Sequence, residues 1–130
     1  MGNTWFKKEK ISNVTLLEGK ADDLKSIPDK SFDIVFTDAV LIFVGPDKIE
    51  RVVKELTRIA KKGIILVEWH SIDRNEKGLG YYYKGMYIRN YENLLKRFLK
   101  NVKIDINKIN KNIWPDKNWQ EVGTFIEVKL

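Results

Sequence analysis

The chain has 130 residues, a formal charge of +6 at pH 7, 43% hydrophobic residues and no cysteine. This length corresponds to about one domain, and the composition is that of a globular protein rather than a disordered or fibrous one. The lack of cysteine excludes disulfides and thiol chemistry, and leads us to expect a cytoplasmic location. The sequence contains no apolar run long enough for a membrane-spanning helix, and residues 1–10 lack the apolar core of an export signal.

The positive charge raises the question of an anionic partner, nucleic acid above all. The lysines are scattered along the chain, and most alternate with apolar residues, as on a solvated face. A nucleic-acid interface normally concentrates its cations on one face or along one helix. We therefore do not expect this protein to bind nucleic acid or a membrane.

Two apolar segments in the first forty residues predict buried parallel strands. The first is Val14–Glu18 (VTLLE), which precedes Gly19, and the second is Ile34–Thr37 within the apolar stretch FDIVFTDAVLIFV. Residues 21–26 could form one helical turn, and the Pro, Asp and Ser that follow at 26–31 are typical of a turn.

The clearest helix begins near Pro46, a residue that favours the first helical turn. Apolar residues recur after it at helical spacing and predict one buried stripe: Ile49, Val52, Val53, Leu56, Ile59 and Ala60. Lys61 and Lys62 would lie at the negative end of this helix, with Gly63 as a C-terminal cap of positive φ. A third buried strand, Ile64–Val67, follows directly.

The second half of the chain predicts a helix and two further strands. Asn90 is suited to cap a helix whose apolar stripe includes Tyr91, Leu94, Leu95 and Phe98. Apolar and polar residues alternate over 102–106 and again over 123–130, so these strands each show one face to water and should pair antiparallel. Residues 69–88 and 107–122 read as irregular connections. The order strand, strand, helix, strand, helix, strand, strand predicts an α/β fold.

A glycine pair at 78–80 and the single histidine, His70, are candidate site residues. Residues 78–80 (GLG) do not predict a dinucleotide loop, because Tyr83 stands where a third glycine is needed. His70 follows the third strand, so it lies at the sheet edge where open α/β folds bind ligands and could act as a general base. A single histidine without a partner at fixed spacing does not predict a metal site.

Aromatic side chains are concentrated after the third strand: Trp69, Tyr81, Tyr82, Tyr83 and Tyr87. Their rings could form a lid over an organic substrate, with hydroxyl groups available for hydrogen bonds. They could equally form a small satellite core under a long loop. The sequence favours neither interpretation.

Three acids follow the first two predicted strands: Asp22, Asp23 and Asp38. An unpaired acid inside the sheet would cost several kcal/mol, so these acids are expected at its carboxyl edge. There they are either solvated loop residues or contacts for a bound ligand.

Several segments, taken in order, resemble one family. Residues 19–24 (GKADDL) are similar to its Gly-Asp-Ala-x-x-Leu pattern, residues 28–33 (PDKSFD) to its Pro-Asp-x-Ser-Phe-Asp pattern, and residues 61–70 (KKGIILVEWH) to its glycine-rooted strand. Residues 87–95 resemble its penultimate helix. From about Val14 onward the chain resembles the class I S-adenosylmethionine-dependent methyltransferases.

The resemblance implies a truncated Rossmann-like methyltransferase sheet over residues 1–130: mostly parallel, with a C-terminal antiparallel pair and helices on its faces. The family's strand order is 3-2-1-4-5-7-6. By the same resemblance, S-adenosylmethionine would be bound by Ala21, Asp22, Leu24, Asp38 and Ala39. A small-molecule substrate would face Trp69, Tyr81 and Tyr82, with His70 as the candidate base.

Two departures from the family pattern bear on activity. Lys20 stands where the family has an acid that contacts adenine, so either Asp22 takes over that contact or adenine recognition is lost. The family's first strand and glycine-rich loop should precede Val14. Here the residues before Val14 contain a single glycine, Gly2, and cannot supply that loop. The protein is therefore expected to be incomplete as an isolated enzyme, or else to be a non-catalytic remnant that dimerises or binds a partner.

The missing strands would leave the strand at Ile34–Thr37 with one open edge. Three outcomes are compatible with the sequence: the segment Val14–Glu18 moves in beside it, a second copy donates a strand, or a partner chain supplies the missing half. The first two are favoured, since a link of about 14 residues is long enough for a parallel crossover.

Overall fold

A four-stranded mixed sheet forms the body of the protein in a computed structural model that describes residues 2–72 and 80–130. The strands, with a separate hairpin β3–β4, are β1 (Phe32–Asp38), β2 (Ala60–Trp69), β3 (Tyr81–Tyr83), β4 (Met86–Ile88), β5 (Lys103–Lys108) and β6 (Gly123–Lys129). The sheet order is β1-β2-β6-β5, with β1 and β2 parallel and β6 antiparallel to both of its neighbours. This arrangement confirms the predicted fold class and the antiparallel C-terminal pair.

The helices are short: α1 (Gly2–Lys8), α2 (Ile49–Ile59), α3 (Tyr91–Lys96) and α4 (Lys117–Val122), with a 3-10 turn at Leu41–Phe43. Across residues 2–72 and 80–130, none of them has the length and apolar character needed to cross a membrane.

The main core lies between one face of the sheet and the helices α2 and α3. The predicted stripe of α2 is buried, as are Tyr91, Leu94 and Leu95 of α3. These side chains pack against Ile64 and Leu66 of β2 and Ile126 and Val128 of β6. Asn90 caps α3 as predicted, because its side chain accepts a hydrogen bond of 3.0 Å from the Asn93 N–H.

The C-terminal end of α2 differs from the prediction. Ala60 already has extended backbone and begins β2, so Lys61, Lys62 and Gly63 belong to a strand rather than to a helix cap. Gly63 pairs with Ile34 on one side and Lys129 on the other. A Cβ there would lie 3.0 Å from the Val128 carbonyl oxygen, so glycine serves close packing rather than a positive φ.

The segment Val14–Glu18 is not the strand that its sequence predicts. It has no regular structure, and Leu17 is 73% exposed. An extended segment becomes a strand only when a neighbour satisfies its backbone hydrogen bonds, and the described chain offers none there. The expectation that this segment fills the open edge is therefore wrong.

The strand β1 keeps one edge without a neighbour among the described residues. Its two faces differ as well: Val35 and Thr37 are buried against the main core, whereas Ile34 and Phe36 on the opposite face are 49% and 70% exposed. The central strand of the predicted sheet is thus an edge strand in the described chain.

Two predicted connections contain regular structure. Residues 81–88 form the β3–β4 hairpin, and residues 117–122 form α4. The Asp116 carboxylate caps α4 by accepting hydrogen bonds from the N–H groups of Asn118 and Trp119. This helix supplies Trp119 to a second core cluster with Ile42, Trp69 and Ile88.

Candidate functional site

A cavity of about 470 Å³ lies beyond the carboxyl end of β1, beside the start of α2. It is lined by Lys20, Ala21, Asp22, Phe43, Val44, Gly45, Asp47, Lys48 and Val52. Ligands of open α/β sheets bind at the carboxyl ends of parallel strands, which is where this cavity lies. We call it the edge cavity.

One wall of the edge cavity, residues 20–22, belongs to a loop that α2 holds in place. The Leu24 N–H donates to Glu55 at 2.9 Å, and Arg58 donates to the carbonyl oxygens of Leu24 and Ile27 at 2.9 and 2.7 Å. Arg58 also bonds Glu55, and this contact lowers the pKa of the Glu55 carboxyl. The loop is therefore positioned by α2, without any support from a strand at 14–18.

The opposite wall is the turn formed by residues 40–45, which we call the wall turn. The Glu68 carboxylate accepts hydrogen bonds from the N–H groups of Val40, Leu41 and Ile42, each at 3.1 Å. The Arg89 guanidinium donates to the Leu41 carbonyl oxygen at 2.6 Å and also to that of Val44. Glu68 and Arg89 are both fully buried, and burial raises the pKa of Glu68.

The edge cavity brings together two of the five predicted cofactor residues, Ala21 and Asp22. The Leu24 side chain packs against the main core instead. Asp38 and Ala39 lie at the carboxyl end of β1, outside the lining of the edge cavity. Ala39 has a φ of +52°, a left-handed conformation that costs an L-residue about 1–2 kcal/mol. A ligand role for all five remains a prediction.

The predicted substrate residues divide between a core and a surface. Trp69 is only 1% exposed, and its ring meets Trp119 edge-on at a centroid distance of 6.2 Å, so it is a core residue without a surface for a substrate. Tyr81 is half-buried against the same cluster. Tyr82 is exposed, and its ring lies 5.2 Å from that of Tyr87. The satellite-core interpretation fits Trp69, and Tyr82 alone among these three presents an open ring.

His70 lies apart from the edge cavity. Its Nδ1 accepts a hydrogen bond from the Tyr91 N–H at 3.1 Å, so the neutral ring carries its proton on Nε2. Burial lowers the pKa of His70 and favours this neutral form. The ring lines a second cavity, of about 450 Å³, with Lys108 and Thr124 among its other residues. In this tautomer His70 donates a hydrogen bond at Nε2, and its predicted role as a base would require the other neutral tautomer, in which Nδ1 carries the proton and no longer accepts from the Tyr91 N–H.

Sequence reasoning missed the three residues that shape the wall turn: Phe43, Glu68 and Arg89. Glu68 did carry a signal, because it is an acid within the apolar strand IILVEW and needs buried donors. Of the glycine stretch 78–80, residues 78 and 79 lie outside the described part of the chain, while Gly80 has a φ of +99°.

A family model described as a methyltransferase domain matches residues 3–67. No curated protein matches the chain.

Three solved structures share the fold. The PH0226 protein from Pyrococcus horikoshii OT3 has a TM-score of 0.65 at 16% identity, over 98% of this chain and 64% of its own. A methyltransferase from Thermotoga maritima, named as a possible histamine N-methyltransferase, has a TM-score of 0.52 at 20% identity, over 95% and 69%. A methyltransferase from Aquifex aeolicus has a TM-score of 0.58 at 15% identity, over 97% and 59%. The chain therefore spans about two thirds of the length of the proteins that it matches.

Proposed function

Because the chain belongs to the methyltransferase domain family, we propose that it forms part of a site that transfers a methyl group from S-adenosylmethionine to a small molecule. The observation that supports this proposal is the edge cavity, which joins Ala21 and Asp22 to the wall turn at the carboxyl side of β1 and β2. The name printed for the Thermotoga maritima structure, a possible histamine N-methyltransferase, is in keeping with a small acceptor.

The residues of the edge cavity fit an adenosine-containing cofactor. Asp22 can accept a hydrogen bond from the amino group of adenine, and it replaces the acid that Lys20 displaces. The exposed ring of Phe43 offers a face for stacking. We assign a contact with the cationic methionine portion to Asp38, which ends β1 and does not line the edge cavity itself.

The chemical role of the protein in methyl transfer is mainly positional. The cofactor supplies an activated methyl group, and the protein has to hold an acceptor atom in line with it. We assign the exposed ring of Tyr82, beside Tyr81, to the acceptor side. A base would be needed only where the acceptor has to lose a proton.

We further propose that the site is completed at the open edge of β1. A further strand would pair with the open edge of β1, and its covering helix would bury the exposed row of Phe32, Ile34 and Phe36. In this proposal the completing polypeptide supplies the glycine turn that lets the backbone approach the cofactor closely. The absence of cysteine supports a cytoplasmic location for the assembly.

The test is calorimetric titration with S-adenosylhomocysteine. One sample is the chain alone, and the other is a chimera in which the part of the Aquifex aeolicus methyltransferase that this chain does not match is fused ahead of residue 2. Binding by the chimera, weakened at least tenfold by Asp22→Asn, supports the proposal. Asp105→Asn, a change in an acid of β5 that pairs with Lys103 and lies outside the edge cavity, is the matched control. Absence of heat with both proteins would refute a cofactor site.

A second candidate function is a non-catalytic module that pairs with its own copy through the open edge. The apolar residues of β1 favour this reading, because an antiparallel pair centred on Val35 would set Ile34 of each copy opposite Phe36 of the other. Sedimentation at micromolar concentration would show a dimer without affinity for S-adenosylhomocysteine. A strictly monomeric species would rule this function out.

A further inference from the structure

The wall turn is held from two directions by buried charged side chains. Glu68, near the end of β2, accepts hydrogen bonds from the N–H groups of residues 40–42. Arg89, which follows β4, donates hydrogen bonds to the carbonyl oxygens of Leu41 and Val44. Both side chains are fully buried. Two side chains distant in sequence therefore fix the backbone of one short turn, one through its N–H groups and the other through its carbonyl groups.

Burying two charged side chains lowers stability, so we expect them to serve a second purpose, which is to fix the position of the backbone. Buried charges lose hydration, and apolar side chains of similar size would often give equal or greater stability. What a charged side chain adds is direction, because each of its hydrogen bonds specifies where a backbone group must lie. The residues whose position is specified here are those that continue into Phe43, Val44 and Gly45, the wall of the edge cavity.

We infer that Glu68 and Arg89 are positioning residues that fix the wall turn in the conformation able to receive a ligand. Glu68 orients the N–H side and Arg89 the carbonyl side, and neither lines the edge cavity. Arg89 also lies 4.8 Å from the ring of Tyr87 in the β3–β4 hairpin. The hairpin that bears Tyr82 and the wall turn are consequently joined through one guanidinium, so a ligand that binds one will favour order in the other.

The first experiment measures amide hydrogen exchange in the chain alone, and it needs no ligand. In Glu68→Gln the amide nitrogen of the new side chain faces backbone N–H groups, so we expect exchange at residues 40–42 to be at least about tenfold faster. Amides of β6 such as those of Ile126 and Val128 should keep their rates. Glu92→Gln is the matched control, since the Glu92 carboxylate pairs with Lys96 at the surface of α3.

The second experiment uses the chimera and S-adenosylhomocysteine, and so rests on the proposed function. Glu68→Gln should raise Kd about tenfold, and Glu92→Gln should leave it unchanged. Arg89→Lys retains a cation that can reach one of the two carbonyl oxygens, so it should lie between the wild type and Arg89→Gln. This graded series would not result from a general loss of stability alone.

The outcomes separate the two proposals. If the wild-type chimera binds no S-adenosylhomocysteine, the proposed function fails, while hydrogen exchange still decides whether Glu68 fixes the wall turn. Exchange that rises equally in β2, β6 and the wall turn would show a merely structural carboxylate and overturn the inference, as would unchanged exchange at 40–42. If Glu68→Gln does not fold, as judged by tryptophan fluorescence, Arg89→Lys takes its place in both experiments.

Discussion

The two faces of β1 both carry apolar side chains, but only one of them is covered by the rest of the protein. Val35 is buried in the main core and Thr37 is buried on the same face, while Ile34 and Phe36 one residue away point to the other face and are largely exposed. A strand that is apolar on both faces is typical of a sheet covered on both sides. The comparison shows that the composition of β1 suits a larger sheet than the described chain provides.

Two other segments make the same point. Ile64–Val67 and Val14–Glu18 are both short apolar runs, and both were predicted to be buried strands. The first lies between β1 and β6 with its backbone paired on both sides, whereas the second remains irregular. Local composition is the same signal in each case, so the presence of a neighbouring strand decides the outcome.

The largest difference in the free energy of unfolding is expected between a substitution in the main core and one on the uncovered face of β1. Leu66→Ala removes a side chain that is buried in the main core and should lower the free energy of unfolding by about 2–5 kcal/mol. Phe36→Ala, on the uncovered face, should change it by no more than about 0.5 kcal/mol. Urea denaturation of both variants measures the contrast. Equal losses would show that Phe36 is buried in solution, by self-association or by another segment.

A backbone position offers a sharper version of the same test. Gly63→Ala should cost about 1–3 kcal/mol in urea unfolding, since the added Cβ would lie 3.0 Å from the Val128 carbonyl oxygen and 3.2 Å from the Ile34 side chain. Gly19→Ala is the control, because a Cβ there meets no atom within 4 Å. A cost for Gly63→Ala near that of the control would mean that the β1–β2–β6 packing differs from the one described.

Association at the open edge should respond to polar substitutions on β1. Ile34→Ser with Phe36→Ser removes the exposed apolar row without touching the main core. We expect the dissociation constant of any complex formed there, whether a dimer or an assembly with the completing polypeptide, to rise about tenfold or more, which corresponds to about 1.4 kcal/mol. Sedimentation equilibrium measures it. An unchanged dissociation constant would place the association elsewhere on the protein.

The smallest expected effect is the pH dependence of stability that comes from the partly buried His70. Burial lowers the pKa of His70, so the folded protein binds this proton less readily than the unfolded chain does. Its contribution to stability should be complete above the ordinary histidine pKa of about 6.5 and should be lost as the pH falls below that value. Urea midpoints at pH 7.5 and 5.5 should therefore differ more in the wild type than in His70→Gln. An equal difference would mean that His70 is exposed in solution.

The edge cavity was only partly predictable. Ala21 and Asp22 came from a sequence resemblance, and the structure places both in the lining. Trp69 was predicted to face a substrate and is instead in a core, because the irregular connection after β5 folds into α4 and brings Trp119 against it. That contact joins residues 50 positions apart and has no local signature. The same holds for Arg89, whose carbonyl partners lie 48 and 45 residues earlier.

The sequence by itself determined the strands on either side of α2, the stripe of α2, the Asn90 cap and the antiparallel C-terminal pair, because these depend on local periodicity and on side chains near in the chain. Tertiary structure alone decided that β2 begins at Ala60, that Val14–Glu18 stays irregular, and that Glu68 and Arg89 meet across one turn. The physical reason is that a backbone hydrogen bond or a buried charge needs a partner in space, and the partner's position is a property of the whole fold.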